Sequence, residues 1–197
     1  MSNLRSVAKA FEAIGCRARV CDEPGGLAGA ERLVLPGNGA FRAGMERLRA
    51  RRLIEPLREA VLDRQTPVLG ICLGMQLLAA VGWEHGRCDG LGWIQAEVQP
   101  LDTGASALKL PHIGWNEVEP RPGSRLLADL PVAPVFYFVH GFHVVCSDGS
   151  LVKGTCRYGA PFASVIEVGN VYATQFHPEK SQRAGLAVLR NFVKATS

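Results

Sequence analysis

The apolar positions change period along the chain. Near the start, Leu4, Val7, Ala8, Phe11 and Ile14 share one helical face, with Asn3 as N-cap and Gly15 as the stop. Arg17–Cys21 reads as a short strand, Arg32–Pro36 as a stronger one, and 41–52 and 53–65 as helices. A strand over 67–71 follows, then a helix-like stretch, Met75–Val81. This alternation predicts an α/β fold with a parallel sheet. From about residue 90 the texture changes to short strands separated by Gly, Pro and Asp turns. Leu91–Leu101, Leu108–Glu119, Val135–Val145, Leu151–Arg157, Ala163–Val168 and Asn170–Phe176 read as strands, which predicts antiparallel or mixed pairing there. Ser181–Ala195 reads as a last helix. No repeat or linker interrupts the chain, so residues 1–197 are expected to form one domain. The helical opening is odd, because a βα fold should open with a strand.

Composition adds little beyond limits. Of 197 residues, 47% are apolar, ample for a core, and the net charge is +4. Arg47, Arg49, Arg51 and Arg52 cluster in a helical pattern and read as a solvated face, with a partner-facing or nucleic-acid patch as the alternative. No aromatics interleave with them, which argues against nucleic acid. Cysteines stand at 16, 21, 72, 88, 146 and 156, without a CxxC pair or zinc spacing, so neither metal nor cofactor is expected. The absence of a signal peptide or long apolar span fits a reduced cytoplasmic compartment and no membrane association.

Candidate chemistry begins at Gly70-Ile71-Cys72-Leu73-Gly74, between a strand and a helix-like stretch. Strand, tight turn and helix with a reactive side chain at the turn is the pattern of a nucleophile elbow. The other reading is a buried cysteine in a Gly-bounded turn. A thiol nucleophile needs a base and a group to orient that base. His177-Pro178-Glu179-Lys180 follows an apolar strand, and Pro178 ends it. His177 and Glu179 are two apart and point to one side of an extended segment. Read alone, they are also an ordinary strand-end turn. His85 reads as solvated, and His112, His140 and His143 lie in strand-like segments. The third piece is Leu35-Pro36-Gly37-Asn38-Gly39-Ala40-Phe41, whose backbone N–H groups suit an oxyanion hole together with the amide of Leu73. A structural or phosphate-cradling turn is the alternative, but no Lys-Ser/Thr follows, which argues against a P-loop.

PGNGAF, GICLGMQLL and TQFHPEKS together resemble the class I (triad) glutamine amidotransferases. PHIGWNEV at 111–118, YFVHGFHV at 137–144 and QFHPEKSQ at 175–182 narrow the resemblance to glutaminase subunits of imidazole glycerol phosphate synthase, a histidine-biosynthesis enzyme. The resemblance runs through essentially the whole chain. It implies a flavodoxin-like three-layer sandwich with a mostly parallel sheet and an antiparallel, strand-rich second half. It implies that Cys72 attacks the glutamine side-chain amide, with His177 as acid–base and Glu179 orienting it. Gly37, Asn38, Gly39 and Leu73 would form the oxyanion turn, Gln76 would contact substrate, and the backbone at Gly141 and Phe142 would receive the α-carboxylate. Ammonia would pass to a (β/α)₈ cyclase subunit in a heterodimer, and Asn3, Trp115, Asn116 and Lys180 match partner-facing positions. Read without the family, Trp115 fits core burial as well as an interface.

Three departures from the family pattern stand out. Relatives carry a strand and a Tyr-Gly-Met turn ahead of the segment matching Ser2-Asn3-Leu4, and Met1 falls on that internal methionine. The expected first strand is therefore absent, and a working chain about ten residues longer is expected from βα logic. Asn38 stands where the subfamily has valine, in a turn whose peptide flip is held to complete the oxyanion hole. Gly141-Phe142 replaces a hydroxyl-bearing pair. Other readings are a cysteine peptidase or related thiol hydrolase, a glutaminase subunit in surface-sugar synthesis, and an N-terminally truncated, non-catalytic binding subunit. A peptidase leaves HPEK and PHIGWN unexplained.

Overall fold

A computed structural model describes residues 4–104 and 108–196. The first half supplies helix α1 (Leu4–Glu12), strand β1 (Leu33–Gly37), helices α2 (Phe41–Ala50) and α3 (Ile54–Arg58), strand β2 (Val68–Cys72) and the short helix α4 (Leu73–Leu77). Strands β3 (Ala79–Gly82), β4 (Cys88–Asp89), β5 (Ile94–Pro100), β6 (His112–Glu117) and β7 (Glu119–Pro120) follow. The chain then runs through β8 (Val135–His140), β9 (Phe142–Cys146), β10 (Val152–Tyr158), β11 (Ala160–Val168) and β12 (Val171–Thr174), and ends in helix α5 (Gln182–Ala195).

The central sheet has the order β1-β2-β12-β11-β10-β7. The end of the sheet that carries Cys72 is parallel, with β2 between β1 and β12, and the remaining pairs are antiparallel. β2 is buried along its whole length, as a strand covered on both faces should be. One core joins this sheet to α2, α4 and a second sheet, β4-β3-β5-β9. The other joins it to α1, α5 and the β6–β8 pair, with Phe136, Phe138, Phe176 and Phe192 at its centre. Each fully buried ring of this size stabilises the fold by roughly 1.5–3 kcal/mol.

Three expectations change. Arg17–Cys21 forms no strand, and among the described residues β1 is an edge strand with no ladder on its outer side. Residues 17–20 are accordingly solvent-exposed. The helix after Cys72 is shorter than its apolar pattern, because Ala79–Gly82 leaves it to become β3 and pair with β5. Val135–Val145 is two strands, β8 and β9, in different sheets, separated at Gly141. The Asn3 cap lies outside the described residues.

Candidate active site

Two glycines explain why the elbow can form. A Cβ at Gly70 would meet the backbone of Gly74 and Met75 at 3.0 and 2.9 Å, and a Cβ at Gly74 would overlap the carbonyl oxygen of Leu35. The α4 turn can therefore fold back tightly only with glycine at both positions. Cys72 sits at the turn with φ 54° and ψ −109°, a sparsely populated conformation for a residue with a side chain. Such strain persists only where the surroundings over-determine it, and here β1, β12 and α4 all pack on the elbow.

The turn after β12 supplies the base. His177 Nδ1 donates to Glu179 Oε1 at 2.8 Å, and both side chains are 5% exposed. The carboxylate fixes the proton on Nδ1 and leaves Nε2, buried and without a hydrogen-bond partner, for proton exchange with a thiol. Burial opposes the imidazolium, but Cys72 and Glu179 beside it outweigh burial and raise the His177 pKa to about 9. Cys72 and His177 line one cleft of about 440 Å³, with Asn38, Gly39, Leu73, Gln76, Gly141 and Phe142. Gly37 is set back in the base of the same turn, facing Val7 and Ile71.

The cleft wall is held by one carbonyl. Phe142 O accepts from Gln76 Nε2 at 3.0 Å and from His140 Nδ1 at 2.9 Å. A carbonyl can only accept, so His140 carries its proton on Nδ1 and accepts at Nε2 from His112 Nδ1, 3.1 Å away. Asn116 Nδ2 completes the chain at 3.4 Å from His112 Nε2. Burial pushes both imidazoles down, His140 to about 3 and His112 to about 4. Neither is a base in reserve; both are neutral links between the cleft and the β6–β8 surface.

The model of the glutamine amidotransferase class-I family matches residues 2–196. The chain belongs to the class-I glutamine amidotransferases. It is similar to the imidazole glycerol phosphate synthase subunit HisH of Salinibacter ruber, 46% identical over 196 residues that cover 98% of this chain and 89% of the relative. The HisH 1 subunit of Campylobacter jejuni strain RM1221 is 45% identical over 98% of this chain and 94% of its own length. The corresponding subunit of Symbiobacterium thermophilum is 47% identical over 98% and 89%. A crystal structure of a glutamine amidotransferase superposes with a TM-score of 0.74 at 19% identity, covering 98% of this chain and 94% of that one. Another amidotransferase structure, from Thermotoga maritima, gives 0.65 at 20% identity over 98% and 75%. These structures share the fold.

Within this amidotransferase, the residues expected at the partner surface divide. Trp115 is 49% exposed on the outer face of β6, not in the core, and stands beside Ile113 at 60%. Lys180 is exposed, and its Nζ lies 5.5 Å above the Tyr137 ring at the cleft mouth. Asn116 instead turns inward, donating to Arg157 O at 2.9 Å. Asn3 lies outside the described residues. The Arg47–Arg52 arginines are solvent-exposed, as a solvated face requires.

Two residues, one lining the cleft and one buried beside it, have no role in the motif reading. Glu84 lines the cleft and accepts from Phe41 N at 2.7 Å, although its loop looks merely polar in sequence. Gln175 is fully buried and contacts both Gln76 and Cys72. A signal for it existed: a polar side chain just after an apolar strand wants a partner. Two thiols away from the cleft are poor nucleophiles, since burial pushes Cys146 up to about 11 and Cys156 up to about 12.

Proposed function

We propose that the chain hydrolyses glutamine to glutamate and ammonia and delivers the ammonia to a cyclase partner that makes imidazole glycerol phosphate. The carrying observation is that an elbow thiol, a buried His–carboxylate pair and a turn rich in backbone N–H groups meet in one cleft. Cys72 Sγ attacks the side-chain amide carbon. His177 takes the thiol proton and gives it to the departing ammonia, and Glu179 keeps the imidazole oriented. The oxyanion faces the amides of the Gly37–Gly39 turn and Leu73, each well-placed donor lowering the barrier by about 2.7–4 kcal/mol. Water, activated by His177, then releases glutamate from the thioester. Gln76 and the Gly141–Phe142 backbone hold the substrate's α-groups, and the Glu84 carboxylate suits its ammonium.

The partner reading rests on the HisH relatives and on the β6–β8 surface. Trp115 pairs across strands with Tyr137, and Ile113 with Val139, so an outward apolar face abuts the cleft mouth. Exposed apolar area of this kind beside a reaction site suits a docking partner. We infer a heterodimer with a (β/α)₈ cyclase, Trp115 and Lys180 at the contact, and ammonia leaving past Tyr137. Glutamate and ammonia release from glutamine test the first step. Cys72→Ser should abolish both, and persistent release would refute it. Trp115→Ala should weaken co-purification with the cyclase while leaving Cys72 alkylation intact.

A further inference from the structure

Gln76 Nε2 donates to Phe142 O at 3.0 Å and to Gln175 Oε1 at 3.2 Å. Because the Phe142 carbonyl cannot donate, the Gln76 amide is fixed with its nitrogen toward both acceptors. Gln175 must then present its oxygen to Gln76 and its NH₂ group to the other side. There it meets Cys72 Sγ at 3.8 Å. Besides His177, the sulfur also meets Val139 O at 3.8 Å, which can accept from a thiol but only repels a thiolate. Gln175 is fully buried, so no water competes for its amide.

We propose that Gln175 is a thiolate-holding donor: its side-chain N–H, locked in orientation by Gln76, stabilises the ionised Cys72 and disfavours the thiol. This rests on Cys72 being the nucleophile of the proposed reaction. The thiol's contact with Val139 O and the thiolate's contact with Gln175 are alternatives, so Gln175 adds to the thiolate stabilisation that His177 supplies. It also makes Gln76 more than a substrate contact, since one amide ties the glutamine pocket to the state of the sulfur. The titratable groups facing the cleft besides Cys72 are His177 with Glu179, His140, Tyr137, Glu84 and Lys180, and no change at Gln175 removes any of them.

The test is peptide-resolved alkylation of Cys72 by iodoacetamide against pH, with kcat and KM for glutamine measured in parallel. Gln175→Met keeps the volume and removes the donor. Its alkylation midpoint should rise by about one pH unit, equivalent to a tenfold loss of thiolate below the midpoint. Its kcat should fall about tenfold, with KM within about threefold. Gln175→Glu replaces the donor with a carboxylate and should raise the midpoint further. It also decides the question if the Met variant fails to fold. An unchanged midpoint in a folded variant, or a loss confined to KM, would overturn the proposal. Alkylation needs no glutamine, so a parent chain that releases no ammonia would refute the glutaminase reading, while the midpoint shift still tests whether Gln175 holds the thiolate.

Discussion

Gly74 and Leu35 meet at the base of the elbow, where the Cα of the one lies against the carbonyl oxygen of the other so closely that a Cβ would overlap it. This contact ties α4 to β1 and sets how sharply the chain turns after Cys72. Gly74→Ala must push β1 and the elbow apart. The expected cost is about 1–3 kcal/mol from overpacking. For a chain of this size, about 2–4 °C of melting temperature is lost per kcal/mol. Thermal unfolding reads the stability, and ammonia release should fall at least tenfold even in the folded fraction, because the thiol moves relative to His177.

The His177–Glu179 pair predicts an alkaline limit. With the His177 pKa raised to about 9, the imidazolium persists through neutral pH and is lost only near that value. Its stabilising contribution is complete below the unfolded value of about 6.5 and disappears as pH rises toward 9. Glu179→Gln keeps the shape and removes the carboxylate. The alkaline limb of kcat/KM should move to lower pH while the glutamine KM changes little. An unmoved limb would show that Cys72 alone holds the proton.

The buried His112–His140 link predicts acid sensitivity. Both folded-state values are depressed, to about 4 and about 3, so the unfolded chain binds these protons first as pH falls. Stability is retained above about 6.5 and lost below it, by roughly 1.4 kcal/mol per pH unit for each residue. Denaturant unfolding at pH 7, 6 and 5 should show a falling midpoint. His140→Gln, which still offers a donor to Phe142 O, should flatten that slope.

Asn38 predicts a looser oxyanion turn. The left-handed conformation in this turn is carried by Gly39, at φ 97°, and not by Asn38. A flip of the intervening peptide moves residue 38 too, and Asn visits the left-handed region more readily than a β-branched residue. Asn38→Val should reduce glutamine turnover without partner severalfold, as measured by uncoupled ammonia release. Equal rates would remove Asn38 from the account.

Local pattern carried much of this chain. The strands, the outer helices and the elbow follow from period and glycine placement, because those features are written in consecutive residues. Local pattern marked Cys72 and His177-Pro178-Glu179 as candidates, and the family resemblance joined them; in the structure Cys72 and His177 line one cleft. The α4–β3 break was not legible. Ala79–Gly82 has a helical apolar pattern, and only its register with β5 makes it a strand. Arg17–Cys21 has strand-like residues but no neighbouring ladder, and an extended segment becomes a strand only through a partner.

The residue sequence by itself determined which side chains could do chemistry: a thiol in a Gly-bounded turn, an imidazole two residues from a carboxylate, and a glycine-rich loop between strand and helix. The tertiary structure decided what surrounds them. It placed Trp115 outside and Asn116 inside on adjacent positions of one strand, and it brought Gln175, Gln76 and Phe142 into one hydrogen-bonded line ending on the sulfur. Those contacts join residues up to 103 positions apart, where no local periodicity can register them. Only burial, which drives most polar groups to find a partner, reveals the pairing.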